Sequence, residues 1–507
     1  MRLRSLLSLL ALLLALAACS EDDSYPETSP ADTGAADVQA DAEPDAAEDT
    51  ALPDVPADVP VDVPEDTTPD VRPDPLPAVP PQPDTTALGT RRGLRVARAV
   101  IHSHTVHSHD ACDGNPRVDG VPNEPCNLDY RHGLCATRMD IAFNTDHEEH
   151  AALEDYQTLL LLRDGDEGVE EDGVVVANRM ACPDGFHPLI LPGGEFAVMP
   201  VGLKAHLPGT AEERDQAYNE ATPERVESLK GLGAVVLQAH TEQQPLEELR
   251  TLGLDGFEIY NLHANLAPDI REEWLGLDPF GFSRSLAPFL ALDGPSPDLA
   301  FLGFYLPSPP ALLKFDTLLA EGQHLVGTAG TDSHQNVLPL AANDGERFDS
   351  FRRMMRWFSN HLLVREIIPS EARNALREGR LYAAMESLGT PVGFDYHATA
   401  SEDTIEMGGE VSIAAGATLH LVRPTIYGVT DDVPMTLVIL EAREGGAVEV
   451  ASGADTLTFT PEHAGAYRAE VRFIPTHLAP YLGPEASAAL LQTPVVWVYA
   501  NPVYVVE

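Results

Sequence analysis

The sequence predicts an α/β fold, a mostly parallel sheet or barrel of alternating strands and helices, followed by a smaller antiparallel β region. Three observations predict it. Short β-rich runs beyond Arg95 alternate with amphipathic helical runs, several strands end in His, Asp or Glu, and from about Ala398 the apolar pattern takes a period of two. In β/α architectures chemistry gathers at the C-terminal ends of the strands, so those polar ends are the candidate site.

Two segments precede the fold. Met1 to Cys19 has a basic start (Arg2, Arg4), an apolar stretch from Leu6 to Ala18 and small residues before Cys19, the pattern of an export signal. Leu16-Ala17-Ala18-Cys19 resembles a bacterial lipobox, which implies cleavage before Cys19 and lipidation of that cysteine. The expected location is the bacterial cell envelope, lipid-anchored outside the cytoplasm, facing the periplasm or the cell surface. Residues 20–90 are rich in Asp, Pro, Ala, Thr and Val, with the near-repeat Asp54-Val55-Pro56, Asp58-Val59-Pro60, Asp62-Val63-Pro64. Low hydrophobicity and dense like charge predict a disordered spacer biased to polyproline II. The expected division is therefore 1–19 signal, 20–90 linker, 91–396 catalytic domain and 397–507 β-sandwich domain.

The 507 residues carry 80 acidic and 32 basic side chains, a net charge of −48. Residues 21–84 hold 19 acidic residues against Arg72 alone, yet the remainder is acidic too. That disfavours a protein that tracks long nucleic acid through a basic groove. A polytopic membrane protein is excluded, because no apolar run of about 18 residues follows the N-terminus.

Thr222-Pro223-Glu224 is a helix start, with Val226 and Leu229 on the apolar face and Gly231 and Gly233 at the stop. Ala234 to Leu237 then reads as a buried strand ending at His240. Pro310 to Glu321 and the strand His324 to Thr328 repeat the scheme and end near Thr331-Asp332-Ser333-His334. The strand Val96 to Ile101 leads into His102-Ser103-His104, whose i and i+2 side chains share a face and can grip one cation. His109 and Asp110 follow in the same loop. MDIAFNTDH closes on His147, LILPGGE presents Glu195, VVLQAH ends at His240, GFEIYN carries Glu258 and Tyr260, and GTAGTDSH supplies Asp332 and His334. One such terminus is ordinary polar chemistry; this many in one chain is a site.

That ordered set, over about residues 95–395, resembles the polymerase and histidinol phosphatase (PHP) family of metal-dependent phosphoesterases. The resemblance implies a distorted (β/α)7-type barrel with two or three divalent ions (Mn, Zn or Fe) at its strand ends. It implies that His102, His104, Glu195 and Asp332 hold one ion, with Glu195 bridging to a second that also takes His240. A third would take His147, His334 and either His109 or Asp110. The chain departs from the pattern where the family has a Gly-His pair after the bridging Glu. Here Gly202-Leu203 stands instead, and either His206 substitutes or the second ion is weaker or absent. His107, His150 and His263 fall off the pattern and read as supporting or surface residues. Gly379-Arg380-Leu381-Tyr382 and the late Asn501-Pro502-Val503-Tyr504 resemble the carbaryl-hydrolase-like subgroup, which implies the β-rich C-terminal extension.

Cys112, Cys126, Cys135 and Cys182 lie between the first and third ligand motifs; in an exported chain two disulfides are expected, in any of three connectivities. The expected reaction is hydrolysis of a small phosphomonoester or phosphodiester by a bridging or terminal metal-activated hydroxide, with Glu195 as the bridging ligand and His206 and Tyr260 as candidate leaving-group acids. A carbamate or ester hydrolase using the same metals, and a non-catalytic metal-binding surface lipoprotein, are the alternatives. Partners are then the small substrate and the membrane under the lipid anchor. Replacing Cys19→Ser moves the protein from the membrane to the soluble fraction on cell fractionation, and retention in the membrane overturns the lipobox reading.

Overall fold

The computed structural model describes residues 76–147 and 151–507. The export signal with Cys19, the spacer up to residue 75, and His150 lie outside the described residues. The sheet is built around β1 (Leu94–Ser103), buried along nearly its whole length, as a strand covered on both faces must be. β2 (Ile141–Phe143) runs parallel to one edge of it. β3 (Glu167–Glu171) and β4 (Val174–Arg179) form a hairpin. Its two turn residues, Asp172 and Gly173, have φ of 52° and 81°, as a tight Asp-Gly hairpin turn requires. β4 leads antiparallel into β5 (Leu189–Leu191), which lies parallel to β2.

β6 (Met199–Val201) and β7 (Val235–Leu237) pair antiparallel. β8 (Gly256–Asn261) and β9 (Val326–Ser333) are parallel, and the end of β9 lies parallel to the end of β1. β10 (Ser359–Val364) takes the first half of that same β1 edge in antiparallel sense, and β11 (Leu381–Ala384) follows it. The parallel run is thus β5-β2-β1-β9-β8. A regular (β/α)7 alternation is not what the connections make. Only residues 192–198 join β5 to β6, too few for a helical crossover, so β6 must turn back antiparallel. A bridge from Gly193 to Val201 ties it to β5, and Glu258 donates its N–H to the Gln238 carbonyl beside β7.

The helices fall where capping chemistry puts them. α1 (Glu124–Ala136) starts at Asn123, whose side chain accepts from Cys126 N–H. In α2 (Pro223–Gly231) Thr222 caps and Pro223 opens the first turn, as the sequence predicts. α3 (Pro309–Ala320), α4 (Phe351–Trp357) and α5 (Pro369–Arg377) each carry Pro or a Ser cap at their start. Among the described residues no helix is long and apolar enough to cross a membrane. Cys112 bonds to Cys126 and Cys135 to Cys182, so α1 is fastened at both ends.

The C-terminal part is rich in sheet. β12 (Asp395–Ala400), β13 (Asp403–Glu406), β14 (Glu410–Ser412), β15 (Thr418–Val422), β16 (Met435–Glu441), β17 (Val448–Gly453), β18 (Leu457–Phe459), β19 (Gly465–Phe473) and β20 (Val495–Val506) follow in order. Two corrections arise here. β17-β16-β19-β20 continue the first sheet through the β20–β11 pairing, so one layer of the C-terminal region is an extension of the main sheet and not part of a separate domain. The boundary at 397 falls inside β12. The second layer is the four-stranded sheet β13-β12-β15-β18; it packs across onto the first, with the Tyr396 hydroxyl donating to the Tyr467 carbonyl at 2.7 Å.

The packed chain also reaches back before residue 91, into the stretch assigned to the linker. Gln82, Thr85 and Leu88 are buried. Gln82 Nε2 donates to Glu386 at 2.8 Å, and Thr85 Oγ1 to Asp140 at 2.7 Å. Glu386 also takes Arg98 Nε at 2.7 Å and Ser359 Oγ at 2.6 Å, and the Arg98 and Glu386 side chains are fully buried. A buried pair tolerates loss of one partner poorly, because the other charge is left without water or counter-ion. Glu386→Ala is expected to cost about 3–5 kcal/mol, read as a lowered urea midpoint at unchanged slope; a loss under about 1 kcal/mol contradicts this account of the network.

Candidate metal centre

The site grows from irregularities at the strand ends. His102 closes β1 with φ of 72°, and Asp332 and His240 sit at 51° and 46°. Non-glycine residues held there cost on the order of 1–3 kcal/mol each and persist only when their surroundings fix them. The fixing groups are close by. Ser103 N–H donates to Thr145 Oγ1 at 3.0 Å, and the Thr105 N–H and hydroxyl both donate to Asp146. The Thr145-Asp146 step thereby ties down the loop that carries His104. Glu195 donates its backbone N–H to the Thr145 carbonyl at 3.1 Å. Gly193 makes this approach possible, since a Cβ there would lie 2.5 Å from the Pro200 carbonyl oxygen and 2.8 Å from that of Asn144.

Two groups of four donors result: His102, Glu195, His240 and Asp332, and His104, Asp110, His147 and His334, each with ligand atoms within 4.8 Å of one another. His102 Nε2 lies 2.9 Å from Glu195 Oε2 and 3.2 Å from Asp332 Oδ1. His104 Nε2 is 3.2 Å from both of these oxygens, and its ring stacks on His334 at 3.6 Å, so it joins the two groups. His334 Nε2 is 3.1 Å from Asp110 Oδ2, and His147 Nε2 is 3.8 Å from it. The supporting contacts orient the rings. Glu258 takes His102 Nδ1 at 2.7 Å, and Ser108 Oγ meets His104 Nδ1 at 2.8 Å, which leaves each Nε2 for the centre.

A divalent ion fits these residues on two grounds. His104 Nε2, His334 Nε2, Asp332 Oδ1 and Asp110 Oδ1 are buried without a hydrogen-bond partner, a costly state for four polar atoms unless something positive joins them. The donors are imidazole nitrogens and carboxylate oxygens, the set that Zn, Mn and Fe accept. In the metal-free protein protons take that part. Burial opposes ionisation of Glu195 and Asp332, but the imidazoles around them hold both carboxyls well below the usual range. Burial likewise opposes a charge on His102 and His240, and the facing carboxylates outweigh it, raising both well above the ordinary value. His334 is pushed up to about 9, with Asp110 and Asp332 overcoming its burial. His104 goes the other way, lowered by burial and by His334.

Of the residues singled out in the sequence, His102, His104, Asp110, His147, Glu195, His240, Asp332 and His334 come together. His109 is exposed, with its ring 5.1 Å from that of His147; Asp110 is the first-loop member of the four-donor group. His206 belongs to neither group. Its Nδ1 is 3.1 Å from the Tyr218 hydroxyl and its Nε2 is 3.0 Å from the Glu154 carbonyl, so both ring nitrogens are engaged, and burial lowers it to about 4. Tyr260, the other leaving-group candidate, also belongs to neither group. It sits in the core beside Tyr305 and Phe358, and burial raises its hydroxyl well above the usual value. The reason is a bulge: the β8 register shifts between Glu258 and Tyr260, so Glu258 shares its face with Asn261, whose Nδ2 donates to Glu258 Oε2 at 2.7 Å. Glu258, a strand-end carboxylate in the sequence, and His263 are neighbours of the site to which the family resemblance gave no ligand role.

Metal binding must displace protons, because imidazole ligates as the neutral form. In the metal-free protein His334 stays protonated until pH passes about 9. Affinity for Mn or Zn is therefore expected to rise with pH from 6 towards 9, with proton release at neutral pH seen as buffer-dependent heats in titration calorimetry. A flat profile contradicts it.

No family model matches this chain, and no curated protein does. Among solved structures, it is similar to the 2.20 Å crystal structure of a two-domain protein containing a predicted PHP-like metal-dependent phosphoesterase from Bacteroides vulgatus ATCC 8482. Identity is 13%, the match covers 84% of this chain and 99% of that one, and the TM-score is 0.33. At that level the likeness leaves the chemistry to be read from the residues themselves.

Proposed function

We propose that this chain is a metal-dependent hydrolase that cleaves small phosphate esters, phosphomonoesters or phosphodiesters, at the ends of β1, β8 and β9. The observation that carries the reading is the pair of adjacent four-donor groups joined at His104. The motif order, which resembles the PHP family, supports phosphoester chemistry and a barrel-type ancestry for the sheet. Divalent ions bound there supply an activated water and neutralise the oxygens of the ester. The chain's own residues do the rest. Glu195 and Asp332 hold the ions, Glu258 and Ser108 fix the tautomers of His102 and His104, and Asp146 keeps their loop from moving. No side-chain nucleophile is needed. An acidic protein can take an anionic substrate because the ions turn one pocket positive, which restricts the substrate to something small enough to enter it.

A carbamate or ester hydrolase is the second reading. It keeps the same ligand residues and changes only the bond attacked, since a metal-activated hydroxide attacks an acyl carbon as well as phosphorus. Two disulfides in the described fold support an oxidising compartment, in keeping with a lipid-anchored protein outside the cytoplasm and an acidic spacer between anchor and fold.

The test is a panel of aryl phosphate, bis-aryl phosphate and aryl carbamate substrates with chelated and Mn-, Zn- or Fe-reloaded protein. Turnover of phosphate esters that vanishes on chelation and falls by about a hundred-fold or more in Glu195→Ala and His334→Ala is expected. Turnover of carbamates alone favours the second reading. Metal binding without turnover of any substrate overturns both in favour of a binding protein.

A further inference from the structure

The two carboxylates at the centre have an inner and an outer oxygen each. Glu195 Oε2 and Asp332 Oδ1 meet the Nε2 atoms of His102 and His104. The remaining oxygens have other neighbours. Glu195 Oε1 is 2.9 Å from His240 Nε2, and Asp332 Oδ2 is 3.7 Å from that same nitrogen. His263 Nδ1 lies 3.2 Å from Asp332 Oδ2, and the His263 ring meets the His240 ring edge-on with centroids 5.2 Å apart. His240 and His263 thus face the outer oxygens, while His102 and His104, with His334 Nδ1 3.1 Å from Asp332 Oδ1, face the inner ones.

We propose that His263 is a metal ligand which, with His240, Glu195 Oε1 and Asp332 Oδ2, forms a further cation position, so that both carboxylates bridge and the donor missing after Gly202 is supplied from the end of β8. The inference rests on the reading of the site as a metal centre. The local structure is built for it. Asn261 Oδ1 accepts the His263 N–H at 2.6 Å while its Nδ2 donates to Glu258 Oε2 at 2.7 Å, and the Leu262 N–H is held by the Gly330 carbonyl at 3.1 Å. The carboxylate that orients His102 therefore also fixes the backbone from which His263 projects. Gly330 is part of the arrangement, since a Cβ there would fall 1.7 Å from Glu258 Oε1. The His263 side chain is 27% exposed and Asp332 3%, so the position lies on the solvent side of the centre, where an exchanging ion and a substrate can both reach it. A metal that uses it has imidazole and carboxylate donors only, a set suited to Mn, Zn or Fe.

The test is metal counting on the full-length protein in detergent. Wild type, His263→Ala, His263→Asp, His206→Ala and Glu195→Ala are stripped with chelator, titrated with Mn(II) by calorimetry and counted by mass spectrometry. Co(II) loading gives a second readout, the ligand-field absorption of the bound ions. The expected result is that His263→Ala holds one equivalent fewer than wild type, or binds its weakest ion about ten-fold or more less tightly, with a changed Co(II) spectrum. His263→Asp, which keeps a donor atom, restores the count, and His206→Ala matches wild type. The proposal is overturned if His263→Ala keeps the wild-type count and affinity, or if His206→Ala is the variant that loses an ion. Near-UV circular dichroism reports whether each variant is folded, and His263→Asp keeps the test decisive if the alanine variant is not. A wild type that binds no metal sinks the hydrolase reading itself, a result separate from either.

Discussion

Glu195 and Asp332 are carboxylates placed where water barely reaches, with 6% and 4% of their surfaces exposed, and the rest of the strand-end structure answers that constraint. An isolated buried carboxylate costs several kcal/mol and would otherwise take up a proton. Here imidazoles are brought to it from four chain segments, His102 and His104, His240, His263 and His334, and the carboxylates raise His102, His240 and His334 above the ordinary value. Protonated imidazoles can meet the requirement in the metal-free protein, and divalent ions held by the neutral rings meet it better. Metal binding at these side chains would therefore exchange protons for ions.

Bringing these segments together requires backbone that a regular barrel does not provide. His102, His240 and Asp332 adopt left-handed conformations, β8 carries a bulge, and residues 192–198 turn back too soon for a helix. Each irregularity points one donor inward. Their cost is offset by contacts such as Asp146 on Thr105 and Asn261 between Glu258 and His263. The disulfides act in the same place. The Cys112 and Asp113 N–H groups bond to the carbonyls of His334 and Gln335 at 2.9 Å, so the Cys112–Cys126 link holds the Asp110 loop against the loop of its partner ligand.

The opposite end of β1 is closed by different means. The buried Arg98–Glu386 pair draws in Gln82 from ahead of the first strand and Ser359 from β10. β20 then extends the sheet past β11, with the Asn501 side chain donating to the Gly327 and Leu381 carbonyls and accepting the Gly327 N–H. The C-terminal strands thus steady the start of β9, whose far end carries Asp332 and His334.

The sequence by itself determined which residues could bind metal and on which strands they stand, because ligand identity and strand-end position are local properties: His-x-His after an apolar run, Asp332 and His334 two apart, Pro-Gly-Gly before Glu195. It also determined α2, with its Thr222 cap and Pro223, and the need for cysteine pairing. Tertiary structure decided what local pattern does not encode. It chose Asp110 over His109, engaged both nitrogens of His206 elsewhere, turned Tyr260 into the core and brought Glu258 and His263 to the centre. It also fused the C-terminal strands to the main sheet and drew residues 82–88 into the packed fold. The physical reason is common to all of these. A one-residue bulge reverses which side chains share a face, and whether a polar atom is free to bind a metal depends on what else lies within about 3 Å of it, which is a property of the folded chain.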